Sequence, residues 1–119
     1  MMESFRDLIA YQKAYQGSLE IHKLSLKFPE FEQHELGRQV RRATKSAAFN
    51  IAEGFGKKLD SINEFRRFLS VSLGSCDEVR VALDYCKDLG YISESEYSRL
   101  QDEYIQIGKL LISMKNKWK

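Results

Sequence analysis

The chain reads as an all-α protein, an antiparallel up-down-up-down four-helix bundle that takes up residues 1–119 as one domain. Three observations carry this expectation. Apolar residues recur in steps of three and four along four separate segments. No segment alternates with the period of two that a half-buried strand requires. One proline and seven glycines leave room for few, short connections, as between consecutive antiparallel helices twisted about a common axis. A chain of 119 residues supports one core and not two, and 43% apolar with 30% charged residues is ordinary for a globular protein.

The first helix is expected from Ser4, its N-cap, to Lys27, with Phe5, Leu8, Gln12, Tyr15, Leu19, His22 and Leu26 as its stripe. Pro29 stops it, and residues 28–33 form a loop. The second is expected over residues 33–56, with Leu36, Val40, Ala43, Ala47, Ile51 and Gly54 or Phe55 facing inward; Gly54 and Gly56 weaken and end it. Ser61 and Glu64 form a capping-box pattern that opens the third. Its inner face is Phe65, Phe68, Ser72, Ser75, Val79, Ala82, Cys86 and Leu89, widened by Leu69, Cys76 and Leu83, with Gly90 at C′. A second capping box, Ser93 and Glu96, opens the fourth, where Tyr97, Leu100, Tyr104, Ile107, Leu111, Met114 and Trp118 make an unbroken heptad.

Aromatic and aliphatic side chains exceed what one narrow axis can take. Phe49 falls off the stripe of the second helix, and Phe65, Phe68, Leu69, Val71, Leu73 and Val79 cover more than half of the third. Surplus apolar area on a small domain marks a protein interface, so a homo-oligomer is expected.

Charge is also unevenly placed. The chain carries +2, but residues 38–58 hold Arg38, Arg41, Arg42, Lys45, Lys57 and Lys58 against Glu53 alone, a balance of +5 that leaves −3 for the rest. Arg38, Arg41, Arg42 and Lys45 line one side of the second helix. These six cations are the candidate nucleic-acid-binding set, because each phosphate neutralised adds affinity and salt dependence. They equally fit a solvated face partly paired with Asp77, Glu78 or Asp84. No helix-turn-helix, zinc-finger, RNP or KH pattern is present, so no sequence-specific reader is expected.

A third group, Asn50, Glu53, Ser72, Ser75 and Glu78, lies where the stripes of the second and third helices are thinnest. A carboxylate buried there needs a cation, expected from Arg41 or Arg42 of a neighbouring helix or subunit. With Gly54, these residues are expected to form a structural or interface polar cluster. Two glutamates could in principle act as acid and base, but no nucleophile–base pair or phosphate loop accompanies them, so no enzyme activity and no cofactor are expected. Gly74 and Ser75 in mid-helix suggest a close helix–helix approach.

Cys76 and Cys86 lie ten residues apart in one helix, roughly 15 Å along its axis, too far for a disulfide. Unpaired thiols fit a reducing cytoplasm. No CxxC pair exists and His22 and His34 lack ligand spacing, so no metal site is expected. The N-terminus shows no signal-peptide pattern and no apolar run approaches the ~20 residues of a membrane span, so no membrane association is expected.

Taken together, Phe28-Pro29, Leu36, Gln39-Val40-Arg41-Arg42-Ala43, Ser46, Asn50-Ile51-Ala52-Glu53-Gly54, Glu64-Phe65, Phe68-Leu69, Gly74-Ser75, Glu78 and Leu89-Gly90-Tyr91-Ile92 resemble the bacterial four-helix proteins encoded in intervening sequences of 23S ribosomal RNA genes. The resemblance spans nearly the whole chain. One departure stands out: where the family has Ser-Ile-Pro-Ser or Ser-Ile-Pro-Ala, this chain has Ser46-Ala47-Ala48-Phe49, so its second helix is expected to be straighter. The resemblance implies a protomer that assembles into a ring, a pentamer, with a role in RNA or DNA binding. A related group of retroelement variability proteins implies the alternative, a scaffold or accessory factor for a protein partner such as a reverse transcriptase.

Overall fold

Ser4 caps a shorter element than the periodicity predicts. In the computed structural model, which describes residues 4–118, the Ser4 hydroxyl accepts from the Arg6 N–H and the Asp7 carboxylate accepts from the Ser4 N–H, each at 3.1 Å. This box closes a single 3-10 turn, Phe5–Asp7. Leu8 is then extended, and α1 runs from Ile9 to Ser25. Met1, Met2, Glu3 and Lys119 lie outside the described residues, so the segment read for a leader is described only from Ser4 onward.

A second 3-10 turn, Glu30–Glu32, follows Pro29. α2 is Leu36–Lys57, α3 is Ile62–Asp88 and α4 is Glu94–Lys117. No strand occurs among the described residues. α2 runs through Gly54, where tertiary packing outweighs glycine's weak helix propensity, and ends at Lys57, one residue past the expected Gly56.

Polar signals fix the remaining boundaries. The Ser61 hydroxyl accepts from the Glu64 N–H at 3.1 Å, while the Glu64 carboxylate turns to Arg67 instead of closing the box. Ser93 and Glu96 close theirs fully. At the C-terminus of α3, Gly90 takes φ +80°. The Tyr91 N–H then reaches the Cys86 carbonyl at 2.8 Å and the Gly90 N–H reaches Lys87 at 3.0 Å, a Schellman cap that only a residue without Cβ adopts freely.

Each helix packs on its two neighbours, α1 on α2 and α4, and α3 on α2 and α4; the diagonal pairs are held apart by the core. This is the up-down-up-down four-helix bundle. α3, about 40 Å long at 1.5 Å per residue, spans most of the 44 Å long axis. The core holds Ile51, Phe65, Leu69, Leu83, Leu100, Tyr104, Ile107 and Leu111, all essentially inaccessible.

The inner face of α1 differs from the expected stripe. Ala10, Ala14, Gly17, Ser18, Ile21 and Ser25 point inward, whereas Tyr15, Leu19 and Leu26 are exposed, Leu26 by 60%. Small residues let α1 approach closely. A Cβ on Gly17 would stand 2.8 Å from the Tyr104 hydroxyl, so the α4 tyrosine fills the volume that a larger α1 residue would have occupied. Leu89, expected inside, is also exposed.

Candidate nucleic-acid interface on the second helix

α2 presents opposite faces of opposite chemistry. Val40, Ala43, Ala47, Ile51 and Gly54 are buried. Half a turn away, at 100° per residue, Arg38, Arg42, Lys45 and Phe49 share a sector of about 60°. All four are exposed, Phe49 by 66%.

The six expected cations are not equivalent. Arg42 and Lys45 form no ion pair among the described residues, and neither do Arg38 and Lys57. Arg38 lies 3.3 Å from the His34 ring through its guanidinium. Arg41 turns away from solvent. It donates to the Ser25 hydroxyl at 2.8 Å, to the Gln33 backbone carbonyl at 2.6 Å and to the Gln33 side-chain oxygen at 3.4 Å. Gln33 in turn donates to the carbonyls of Ser25 and Phe28. Arg41 therefore ties the α1–α2 connection shut and is removed from the exposed basic face: its position on the helix flank puts loop acceptors within reach, and its desolvation is offset by three hydrogen bonds. Lys58 is likewise engaged, with its ammonium 4.1 Å from the Trp118 ring centre and 5.0 Å from that of Phe55. Lys57 stays exposed at the far end, where its field contributes to holding the Glu64 carboxyl below its ordinary range, behind the larger effect of the Arg67 hydrogen bond.

Nearby arginines on α3 are spoken for. Arg66 donates to the Lys115 carbonyl at 2.6 Å, satisfying the last turn of α4, and Arg67 pairs with Glu64 at 2.9 Å. Asp84, a candidate partner for the basic face, instead accepts from the Tyr97 hydroxyl and from Gln101. Asp77 and Glu78 form no ion pair with α2 among the described residues.

The expected polar cluster splits in two. The Ser46 and Ser75 hydroxyls meet at 2.7 Å across the α2–α3 seam. Asn50 donates to the Ser46 carbonyl at 2.8 Å and its hydroxyl at 3.2 Å, and the buried Ser72 donates to the Ala47 carbonyl at 2.7 Å. Gly54 belongs with this seam, since a Cβ there would come within 2.9 Å of the Phe68 Cβ. Glu53 and Glu78 do not belong: both are exposed, so neither needs the buried cation expected for it. Their wheel positions lie outside the seam, where water solvates a carboxylate at no cost. Glu78 instead lines a shallow groove of about 920 Å³ between α2 and α3, with Arg38, Arg42, Val81, Tyr85 and Leu89.

Sequence reasoning placed Phe49 off the stripe but left it out of the basic set. The signal was present: it stands four residues after Lys45 and seven after Arg42, the spacing that repeats a helix face.

No group of three or more His, Cys, Asp or Glu side chains is placed to hold a metal among the described residues. Cys76 and Cys86 are buried free thiols, and burial pushes both up to about 12, which leaves them protonated and unreactive. No helix of the described residues is long and apolar enough to cross a membrane.

No curated protein matches the chain. It is similar to a crystallised protein of unknown function from the S23 ribosomal protein family of Bacteroides thetaiotaomicron, at 26% identity and a TM-score of 0.80, over 93% of this chain and 98% of the other. The family model described as 23S rRNA-intervening sequence protein matches residues 6–113, and the chain belongs to that family.

Proposed function

We propose that this protein is a non-enzymatic, self-assembling four-helix module that binds nucleic acid through phosphate contacts along the outer face of α2. One observation carries the reading: Arg38, Arg42, Lys45 and Lys57 are exposed along one helix and no carboxylate pairs with them among the described residues. Unpaired cations keep their full charge for a polyanion. The rest of the chain, at −3, keeps that field local. Arg41 and Lys58 hold the fold together and leave the binding set.

Self-assembly rests on two separate apolar faces, Tyr15, Leu19 and Leu26 on α1 and Val81, Tyr85 and Leu89 on α3. Two different patches on one protomer favour a head-to-tail contact, which closes into a ring when the rotation permits; a pentamer is the ring we propose. The buried free thiols suit a reducing cytoplasm.

Fluorescence anisotropy with labelled 23S rRNA-derived RNA and duplex DNA tests the binding. Four phosphate contacts per protomer give an affinity that falls about 100-fold between 50 and 200 mM salt. The Arg42→Glu/Lys45→Glu double variant abolishes binding irrespective of sequence. No binding at low salt overturns the reading. It would leave the second one, a scaffold for a protein partner such as a polymerase, which the exposed Phe49 favours; partner capture would then be lost on Phe49→Glu and kept on Arg42→Glu.

A further inference from the structure

We infer that the α2 face selects single-stranded over duplex nucleic acid, with Phe49 as a stacking platform for an unpaired base; this rests on the phosphate-binding reading above. Phe49 stands in the middle of the basic sector, one turn from Lys45 and two from Arg42. Its ring is 66% exposed and takes part in no ring–ring or cation–ring contact among the described residues, unlike Phe5, Phe28, Phe55, Phe65 and Phe68.

The surroundings leave room for a base. Of the residues that follow, Gly56 lies on the same side, with nothing within 4 Å of an added Cβ, while the half-buried Ala52 and the exposed Glu53 flank the face one turn from Phe49. Across the seam, the Ser46–Ser75 and Ala47–Ser72 contacts set the level of α3, where Gly74 is exposed and a Cβ added to it would also meet nothing within 4 Å. The ring thus has open space beside it at Gly56, cations toward the N-terminus of α2 and one carboxylate, Glu53, toward the C-terminus.

A solitary exposed phenylalanine is unremarkable on a protein surface. Beside unpaired cations on one helix face it is a different object. Phosphates drawn to Arg38, Arg42 and Lys45 bring their bases past the ring. In a duplex those bases are paired and stacked inside, so only a single strand can lay one on Phe49. The platform is sequence-tolerant, since every base has a π-face, in keeping with a surface that carries no base-reading motif.

The test uses the full chain in anisotropy titrations with oligo-dT, oligo-rU, a duplex of equal length and a base-free deoxyribose-phosphate strand. The single strands are expected to bind more tightly than the duplex and the base-free strand. Phe49→Ala should weaken single-strand binding on the order of ten-fold, the worth of one stacked base. Its salt slope, its affinity for the base-free strand and its oligomeric state by light scattering should stay unchanged, and Phe49→Trp should restore binding. Equal affinity of wild type for the single strands and the base-free strand overturns this inference while leaving phosphate binding intact. So does a change of oligomeric state in Phe49→Ala, which would make the ring a subunit contact. Absence of binding to every probe at low salt overturns both this inference and the reading beneath it. The ratio of oligo-rU to oligo-dT affinity tells whether the strand is RNA or DNA.

Discussion

Arg41 and Arg42 are adjacent and chemically identical, yet they do different work. Arg41 carries three hydrogen bonds to Ser25 and Gln33; Arg42 has no ion pair among the described residues and lies in solvent. Deleting the first leaves the Ser25 hydroxyl and two Gln33 oxygens short of a donor, while deleting the second removes only charge. Arg41→Ala is expected to cost about 1–3 kcal/mol of stability, a fall in Tm of roughly 4–12 °C for a domain of this size. Arg42→Ala should stay within about 0.5 kcal/mol. Nucleic-acid affinity should respond the other way round. Urea melts and anisotropy on the two variants check this, and equal stability losses would mean that the Arg41 bonds contribute nothing beyond a surface charge. Spacing alone put both residues in one stripe, because the partners that distinguish them belong to the α1–α2 connection, outside the helix whose period was being read.

At the scale of elements, the α2–α3 seam is held by small groups at close range. Ser46 meets Ser75, Ser72 meets the Ala47 carbonyl, and Gly54 lies under Phe68. Gly54→Ala has two opposed effects. Alanine favours the helix by roughly 0.5–1 kcal/mol, but its Cβ would stand 2.9 Å from the Phe68 Cβ, an atom fixed to the α3 backbone that cannot swing aside. Overpacking of that kind costs typically 1–3 kcal/mol, so a net loss of about 1–2 kcal/mol is expected. A chemical denaturation curve that shows a gain would mean that the seam opens more easily than the packing implies. This seam also marks how far the sequence was legible. The heptad of α4 led straight to buried residues, since there the large apolar positions are the inner ones; the stripe of α2 did so through its spacing, although its inner face is mostly small and Phe49 points out. On α1 the same rule pointed the wrong way. Tyr15, Leu19 and Leu26 form a regular stripe that faces outward, and the inner face, Ile21 apart, is alanine, glycine and serine. Periodicity reports that a face exists; it does not report which partner covers it. Glu53 and Glu78 were misplaced for a related reason, being assigned to a thin part of the stripe when they stand at its solvent edge. The basic face, by contrast, was visible in the spacing of Arg38, Arg42 and Lys45, because exposed charge needs no partner to define it.

Among the described residues a mainly apolar interior is set against a charged surface, and the two thiols report on that division. Cys76 and Cys86 are 2% and 1% exposed. Desolvation, joined by Asp77 at Cys76 and by Glu32 at Cys86, pushes both up from 9.0 to about 12. A raised pKa in the folded state means that the native protein holds its thiol protons more tightly than the unfolded chain does. The resulting stabilisation is fully present below pH 9 and is lost as pH rises from 9 toward 12. At pH 8 the native protein is therefore expected to resist a thiol-specific reagent, with labelling no faster than bundle opening, while both cysteines react at once in strong denaturant. Between pH 9 and 11, stability measured in urea should fall with a slope that the Cys76→Ala/Cys86→Ala variant makes flatter, even though the lost sulfur atoms lower its stability at pH 7. The comparison separates the proton effect from packing, because the cavity left by each substitution costs the same at every pH whereas thiolate formation does not. Rapid labelling of the native protein at pH 8 would instead place α3 among elements that open locally, and would remove the rigid backing on which the Ser46–Ser75 seam and the outer face of α2 depend.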